Sequence, residues 1–409
     1  MRIRTLLGDK AVGAIAALVA LALYLGAIAH FRSGHSTYQR FSSGPSAHVR
    51  YEQAAVVTVE RQDLRRDLAT GLDLGLQVVK LKILTGEHRG ETLTVRNTLG
   101  YAGNVKVSPG DAVVVCVDAA DAANYNVWIY SHDREPFLYG FAGLFIALLC
   151  VVGGGRGIRS VLGIVFTVSG IAFLFIPMLY RGYSPAWAAV EVSILTICVS
   201  LLLLGGFSAK TLSAILGCLG GVLSSVITLI VALGVTHLSG FNTAESDALI
   251  QISGATGMKV GELLFAAILV SSVGAIMDVA ISIASAVNEV HASNPALRAA
   301  ALFRSGMNVG RDMMGTMANT LIVAFTGTGL NLLVLLHSMQ VTYRQVLNNN
   351  SIDIYVIQSL AGSICVVLTV PLVAVISAWL LPALHRSRSS ASRLASESYQ
   401  GATPQAQLR

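Results

Sequence analysis

Residues 263–287 read LLFAAILVSSVGAIMDVAISIASAV, an apolar stretch long enough to cross a bilayer that nevertheless contains an aspartate, Asp278. On a helix, steps of four, seven and eleven residues from Asp278 reach Ser282, Ser285 and Glu289, so one side of this helix is polar. An aspartate near the centre of a membrane helix costs ~2.5–3.5 kcal/mol on insertion scales. The stripe therefore indicates a specific role for Asp278.

A second polar stripe follows a short loop later, in residues 310–320, GRDMMGTMANT. Asp312, Thr316 and Asn319 recur there at helical spacing, near the start of the next apolar span. Because a short connection favours neighbouring antiparallel helices, we expect the two stripes to face each other. The spacing then predicts that Asp278 and Asn319 meet inside the membrane.

The charged residues near the inner ends of these helices form a separate group. Glu289, Arg311 and Asp312 are predicted to gather at the cytoplasmic mouth, with an ion pair between Arg311 and Glu289.

The composition is that of a membrane protein. The 409 residues are 54% hydrophobic and 12% charged, with a net charge of +6 and a mean hydropathy of +0.67. Apolar runs predict eight transmembrane helices: Ala11–Ala29, Phe137–Val152, Ile158–Leu179, Ala186–Leu204, Leu212–Val235, Leu263–Val287, Met317–Leu336 and Tyr355–Leu381. The last of these runs is long, and Pro371 is expected to bend it.

The distribution of basic residues predicts the orientation. With the N-terminus in the cytoplasm, thirteen Lys and Arg lie in inner segments (2, 4, 10, 156, 159, 210, 298, 304, 311, 386, 388, 393, 409), against three in short outer loops (181, 259, 344). We expect a plasma-membrane protein with both termini cytoplasmic. The first span is predicted to be an uncleaved anchor, with a cleaved signal peptide as the alternative.

Between the first two spans the sequence changes to short runs of β-branched residues separated by turns. Five strands are predicted at Val56–Val59, Gln77–Leu84, Glu91–Arg96, Asp111–Asp118 and Asn126–Tyr130. They indicate a small extracytoplasmic all-β domain, a barrel of OB or SH3-like type, serving either to bind a ligand or partner or as a folded cap. The predicted organisation is an anchor (1–30), a tether (31–53), the β-domain (54–134), a seven-helix membrane domain (136–382) and a disordered tail (383–409).

Three further features concern the membrane helices. Glu191, early in the fourth span, either reaches the outer interface or, with Thr196 and Ser200 nearby, lines the same interior as Asp278. The fifth span carries Gly217 and Gly221, a spacing that predicts close helix packing. Residues Pro295–Arg304 are expected to form a short helix on the inner membrane surface.

Several classes of function find no support in the sequence. The five cysteines and nine histidines show no metal-ligand spacing, and Cys116 is the lone cysteine of the β-domain. No cofactor motif, metal site or nucleic-acid surface is predicted, and the sequence does not indicate an oligomeric state. The expected partner is the lipid bilayer, with an ion or small solute as the ligand.

Three hypotheses compete for Asp278. It carries or exchanges a proton or cation along a transport path, with Ser282, Ser285, Thr316 and Asn319 supplying oxygen ligands. Alternatively, the stripes hold helices together, with a protonated Asp278 hydrogen-bonded to a neighbour; such bonds average about 0.6 kcal/mol. An intramembrane aspartyl protease built on Asp278 and Asp312 is disfavoured because Asp312 is expected near the inner mouth. We favour the transporter; the alternative is a non-transporting regulator or scaffold that uses the β-domain.

Residues 273–289, VGAIMDVAISIASAVNE, and 310–321, GRDMMGTMANTL, resemble the signature blocks of the YibE/F family. The resemblance extends over about residues 75–385 and includes Gly110-Asp111, the Asp-Arg pair before the second span and the Gly-Arg-Gly turn. It implies a multi-pass membrane protein of a bacterial family that has no established biochemical activity. It supports the topology and the choice of residues, but brings no substrate with it.

Overall fold

The computed structural model describes residues 24–26, 29, 48–121 and 124–400, with side chains up to residue 384 apart from residues 120–124. The chain divides into two compact units, one of residues 39–151 and one of residues 1–38 together with 152–409. Most of the predicted first span and most of the predicted tether lie outside the described residues.

The first unit contains a five-stranded antiparallel sheet in the order β3-β2-β1-β4-β5. Its strands are β1 (Val49–Arg66), β2 (Asp73–Ile83), β3 (Thr92–Leu99), β4 (Ala112–Asp121) and β5 (Asn124–His132). All five predicted strands are present, and β1 is much longer than expected. Its first half pairs with β4 and its second half with β2, with register shifts between Val56 and Thr58 and between Val59 and Arg61. These irregularities let one strand bend and serve both halves of a half-barrel.

The alternation of apolar and polar residues along the strands builds the core of this domain. Val79, Leu81 and Val95 on β2 and β3 pack with Val113, Val115 and other residues of β1, β4 and β5. The fully buried Gln77 is satisfied: its amide donates to the Val107 carbonyl at 3.0 Å and accepts from the Val107 N–H at 3.1 Å. A buried polar side chain with all its partners fixes the strand register.

A cluster of three side chains joins the two edges of the sheet. The hydroxyl of Tyr125, on β5, donates a hydrogen bond to Glu91, just before β3. His88 stacks on the Tyr125 ring, with centroids 3.9 Å apart, and its Nδ1 lies 3.3 Å from Glu91 Oε1. The hydrogen bonds from Tyr125 and His88 lower the pKa of Glu91, and burial, together with Glu91, raises the pKa of Tyr125 to about 12.

Tyr125→Phe is expected to loosen the contact between β3 and β5. Because the folded-state pKa of Glu91 is lowered, its contribution to stability is present above the ordinary carboxyl pKa and is lost as the pH falls through the lowered value. The wild type should therefore lose amide-exchange protection in β3 and β5 on acidification, while Tyr125→Phe has reduced protection already at neutral pH. Hydrogen exchange on the full-length protein, corrected for intrinsic rates, measures this. Equal protection in the two proteins at both pH values would contradict the role of the cluster.

The helices are α1 (Glu135–Gly170), α2 (Ile176–Tyr180), α3 (Pro185–Gly205), α4 (Ala209–Thr236), α5 (Ser246–Thr256), α6 (Leu263–Ser293), α7 (Ala299–Thr328), α8 (Leu330–Ser338), α9 (Tyr343–Val346) and α10 (Asn350–Gln400). Among the described residues, five helical segments are long and apolar enough to cross a membrane, and α7 with α8 makes a sixth if this bent pair is one span.

The predicted second and third spans lie in one helical segment, Glu135–Tyr180, in which a five-residue π-helix, Ile171–Phe175, separates α1 from α2. The glycine-rich residues 152–159, VGGGRGIR, predict a tight turn between these spans. In the structure a single residue there, Gly154, leaves the helical conformation, with φ 54° and ψ −134°. Only glycine adopts such a conformation readily, so one residue interrupts the helix where a longer turn was predicted.

The predicted surface helix Pro295–Arg304 is not a separate element. Helix α7 begins at Ala299 and continues to Thr328, because no residue between Arg304 and the membrane segment stops it. The predicted seventh span is itself broken: α7 and α8 meet at Gly329 with a bend of 57°. Helix α10 runs through Pro371 and Pro382 and is described to Gln400, well into the predicted disordered tail.

The core of the membrane unit is built by α4, α6, α7 and α10. Glycines allow these helices to approach closely. A β-carbon added at Gly221 would lie 2.8 Å from Ile276 Cγ2 on α6, and one added at Gly306 would lie 3.1 Å from Ala374 Cβ on α10. Side chains that are fully buried there include Ile276, Ile283 and Leu302.

Candidate functional site

Asp278 lies near the middle of α6, about 22 Å along the axis from Leu263. The helix is unbroken, so Ser282, Ser285 and Glu289 share one face with Asp278, as the spacing predicts. Ser282 and Ser285 are half-buried, whereas Asp278 and Glu289 are exposed to the surroundings of the chain.

Asp278 borders a cavity of about 210 Å³ between α1, α3 and α6. The residues that line it are Thr167, Ile171, Val192, Ser193, Thr196, Val270, Val273, Gly274, Met277 and Asp278. Helices α3 and α6 are held side by side at their first turns, where the hydroxyl of Ser184 donates to Glu262. The cavity therefore lies in the middle third of both helices, at the depth of a bilayer centre.

Three hydroxyl groups accompany the carboxylate in this cavity. Ser193 is 3% exposed, and its Oγ has no hydrogen-bond partner among the described residues. Thr167 donates its hydroxyl proton to the Gly163 carbonyl at 3.0 Å, which leaves its oxygen lone pairs free. Thr196, one turn after Ser193, is also buried. An unpartnered buried hydroxyl is costly, so a ligand or water that bonds to it would be stabilising.

A local irregularity forms part of the wall. Ile171, which lines the cavity, is the first residue of the π-helix Ile171–Phe175. Single π-helical turns widen a helix locally and occur frequently at functional sites. Just before it, the Tyr24 hydroxyl lies 2.5 Å from Ser169 Oγ, and the Tyr24 ring packs on Phe166.

The structure does not bring Asp278 and Asn319 together, which corrects the prediction that the two stripes face each other. Helix α6 meets α7 through Ile283 and Val287, which approach Gly310 and Gly306. These residues lie about 140° and 180° around α6 from Asp278, so the carboxylate points the other way, toward α3. The small residues of α7, and not its polar ones, select the contact face.

Asn319 and Thr316 lie on the outer face of α7 and are both exposed. Asn319 is about 180° around the helix from Gly310. Asp312 and Arg311 are exposed on the same helix. The predicted pair between Arg311 and Glu289 is not among the ion pairs found in the described part of the chain.

Glu191 is exposed on α3 and does not line the cavity, although it lies only two residues before Ser193. Of the two positions considered for it, the structure therefore shows a side chain directed away from Asp278. Gly217 and Gly221 lie on α4 against α10: β-carbons added there would meet Val373 and Thr369.

Two residues of the cavity were missed by the sequence reasoning, Thr167 and Ser193. The spacing Ser193, Thr196, Ser200 is a helical stripe like that of Asp278, and it is the signal that would have identified α3 as the partner of α6. Thr167 carries no such signal, since its position depends on how α1 packs on α3.

No group of three or more His, Cys, Asp or Glu side chains with metal-binding geometry occurs in the part of the chain that the structure describes. The site is thus one carboxylate with hydroxyl oxygens, in an otherwise apolar wall.

The fold and site define a multi-pass α-helical membrane protein with a small β-domain and a polar cavity that opens at the middle of two membrane-length helices. The chain belongs to the YibE/F family. Residues 141–383, more than half of the sequence, match the model of this family, which is described as "YibE/F-like protein". No match was found among curated proteins or among solved structures.

Proposed function

We propose that this protein is a transporter that carries an ion or small solute through the cavity beside Asp278, and that the carried species is a small monovalent cation. The observation behind the proposal is the carboxylate at mid-membrane depth, in a cavity that also holds the unpartnered hydroxyl of Ser193. Ionisable residues within membrane helices characteristically mark ion and substrate paths.

The size of the cavity favours an ion. Its volume of about 210 Å³ has room for water molecules or a partly hydrated cation. Pockets for drug-sized ligands are larger, at about 300–1,000 Å³.

The ligand set favours a single positive charge. Of the described residues that line the cavity, Asp278 is the one carboxylate, and the remaining polar side chains are hydroxyls. Divalent cations in proteins are usually held by several carboxylates, whereas one carboxylate with neutral oxygens balances one charge.

The two competing hypotheses fit the geometry less well. Asp278 takes part in none of the side-chain hydrogen bonds or ion pairs found among the described residues. A residue that holds two helices together requires a hydrogen-bond partner. A protease dyad needs adjacent aspartates, but Asp278 faces α3 while Asp312 is exposed on α7. We therefore propose a protein without enzymatic activity.

The proposal includes a topology of eight spans in the plasma membrane with both termini in the cytoplasm. Six spans come from the apolar helices if α7 and α8 together cross once. Dividing Glu135–Tyr180 at Gly154 adds a seventh, and Ala11–Ala29, most of which lies outside the described residues, adds an eighth. The half-barrel with a long shared β1 is proposed to be an OB or SH3-like domain on the outer side.

Cation binding is expected to raise the melting temperature of the purified protein. Chloride salts of Li⁺, Na⁺ and K⁺ are compared with choline chloride at equal ionic strength; a ligand at 100 times its Kd stabilises by about 2.7 kcal/mol.

Thr196→Val removes one oxygen from the cavity and should weaken binding about tenfold, or about 1.4 kcal/mol. Thr228→Val on α4 is the matched control, because its hydroxyl bonds to the Ser224 carbonyl at 2.8 Å outside the cavity. Equal shifts in both variants would contradict the assigned site.

A further inference from the structure

The face of α7 that points away from the helix bundle is polar along most of its length. Asn308, Asp312, Thr316, Asn319 and Thr320 recur at intervals of three and four residues, and all are exposed. The opposite face is already occupied, since Gly306 and Gly310 approach α6 and α10. The polar stripe singled out in the sequence is therefore a surface of its own, separate from the Asp278 cavity.

This surface lies within the depth of the membrane. The Ser363 hydroxyl, near the middle of the apolar span Asn350–Leu384, approaches the Ala318 carbonyl at 3.4 Å. Thr316 and Asn319 are thus level with the centre of that span. The Thr316 and Thr320 hydroxyls donate to the Met313 and Thr316 carbonyls, each at 2.9 Å. The Asn319 amide has no such bond among the described residues, and an amide that faces hydrocarbon at this depth is costly and requires a polar partner.

The stripe carries a self-complementary pair of charges. Arg311 and Asp312 are adjacent and exposed, and neither belongs to an ion pair among the described residues. In a dimer with its two-fold axis along the membrane normal, the two copies of α7 lie side by side and parallel. Residues on the contact line lie opposite their own copies, and Arg311, 100° around the helix from Asp312, lies to one side of that line. Arg311 of one copy then faces Asp312 of the other, and the pairing occurs twice.

Gly315 lets the two helices approach. A β-carbon added at Gly315 would have no atom within 4 Å, so the position is open, and a second backbone can come close there. Segments of the same chain suit the stripe less well. The described Tyr24 packs on Phe166, and residues 137–151 offer apolar side chains without an amide or a charge.

We propose that the polar face of α7 is the interface between two copies of this chain. Asn319 and Thr316 meet their own copies at the centre of the membrane, and the Arg311–Asp312 pairs close the interface toward one end.

The oligomeric state of three charge variants tests the interface. Full-length protein is measured in lipid nanodiscs by native mass spectrometry or stepwise photobleaching. The wild type is expected to be a dimer. Arg311→Asp places four carboxylates together and Asp312→Arg four guanidinium groups, so each should yield mostly monomer. The double variant Arg311→Asp/Asp312→Arg restores the pairs with reversed sign and should be a dimer again.

A monomeric wild type, or single variants as dimeric as the wild type, would overturn the proposal. If a single variant does not fold, disulfide cross-linking in native membranes decides. Asn319→Cys should give a covalent dimer, whereas Leu223→Cys on the 61% exposed face of α4 should match the wild-type background from the native cysteines. No cross-link at Asn319→Cys means that something other than a second copy covers α7, and the proposal fails.

Discussion

Asp278→Asn is expected to abolish cation flux in reconstituted vesicles while leaving the abundance and the melting temperature of the protein at or above those of the wild type. The amide has nearly the same volume and lines the same cavity, but it cannot balance the charge of a cation. The neutral amide also lowers the insertion cost, which is about 2.5–3.5 kcal/mol for an aspartate in the middle of a membrane helix. Loss of flux with retained stability is the signature of a functional carboxylate.

Glu191→Gln is the matched control for this experiment. Glu191 is also a carboxylate within an apolar helix, but it is exposed and does not line the cavity. Its replacement should leave the flux near the wild-type value. If Asp278→Asn unfolds the protein, the role of Asp278 is to hold the helices together. If the variant is functional, the regulator hypothesis gains, and deletion of residues 56–130 should then destroy function instead.

Gly217→Val is expected to produce a large loss of stability in the membrane unit. A β-carbon at Gly217 would lie 3.2 Å from the Cα of Val373, so it meets the backbone of α10, which cannot move aside as a side-chain end can. Forcing additional carbons into a close-packed contact costs about 1–3 kcal/mol, and more where backbones must separate. The free energy of unfolding in a denaturing detergent measures the effect.

Gly234→Val, on the same helix, supplies the control. A β-carbon at Gly234 would have no atom within 4 Å, so the substitution changes helix propensity and little else. Its stability should stay close to that of the wild type. Equal stability losses at the two positions would show that the effect comes from the helix itself and not from packing against α10.

The sequence predicted local structure well because the relevant signals are local. Hydrophobic runs place the apolar helices, the two-residue alternation in Leu81, Ile83 and Leu93, Val95 places β2 and β3, and helical spacing places Ser282 and Ser285 on the face of Asp278. Signals of this kind need no knowledge of neighbours. The ends of helices are harder to predict than their positions. The helix is interrupted only at Gly154, and α7 runs on without a break, because the residues around these points do not stop a helix.

The partner of the Asp278 stripe could not be predicted in the same way. Sequence proximity favoured α7, and α7 carries a polar stripe with the same helical spacing as that of α6. The contact is in fact made by Gly306 and Gly310, because backbone approach and apolar packing determine which faces meet. The true neighbour, α3, is 58 residues or more away in the chain from α6 (Gly205 to Leu263), and its stripe of Ser193 and Thr196 is less conspicuous because it carries no charge.

A comparison of the currents produced by the wild type and by Asp278→Asn tests the central claim most directly. Vesicles with equal amounts of each protein are fused to a solid-supported membrane and exposed to concentration jumps of H⁺, Na⁺ and K⁺. A transient current with at least one of these cations is predicted for the wild type, and none for Asp278→Asn. Indistinguishable traces from the two proteins, whether both conduct or both are silent, would contradict transport through the Asp278 cavity.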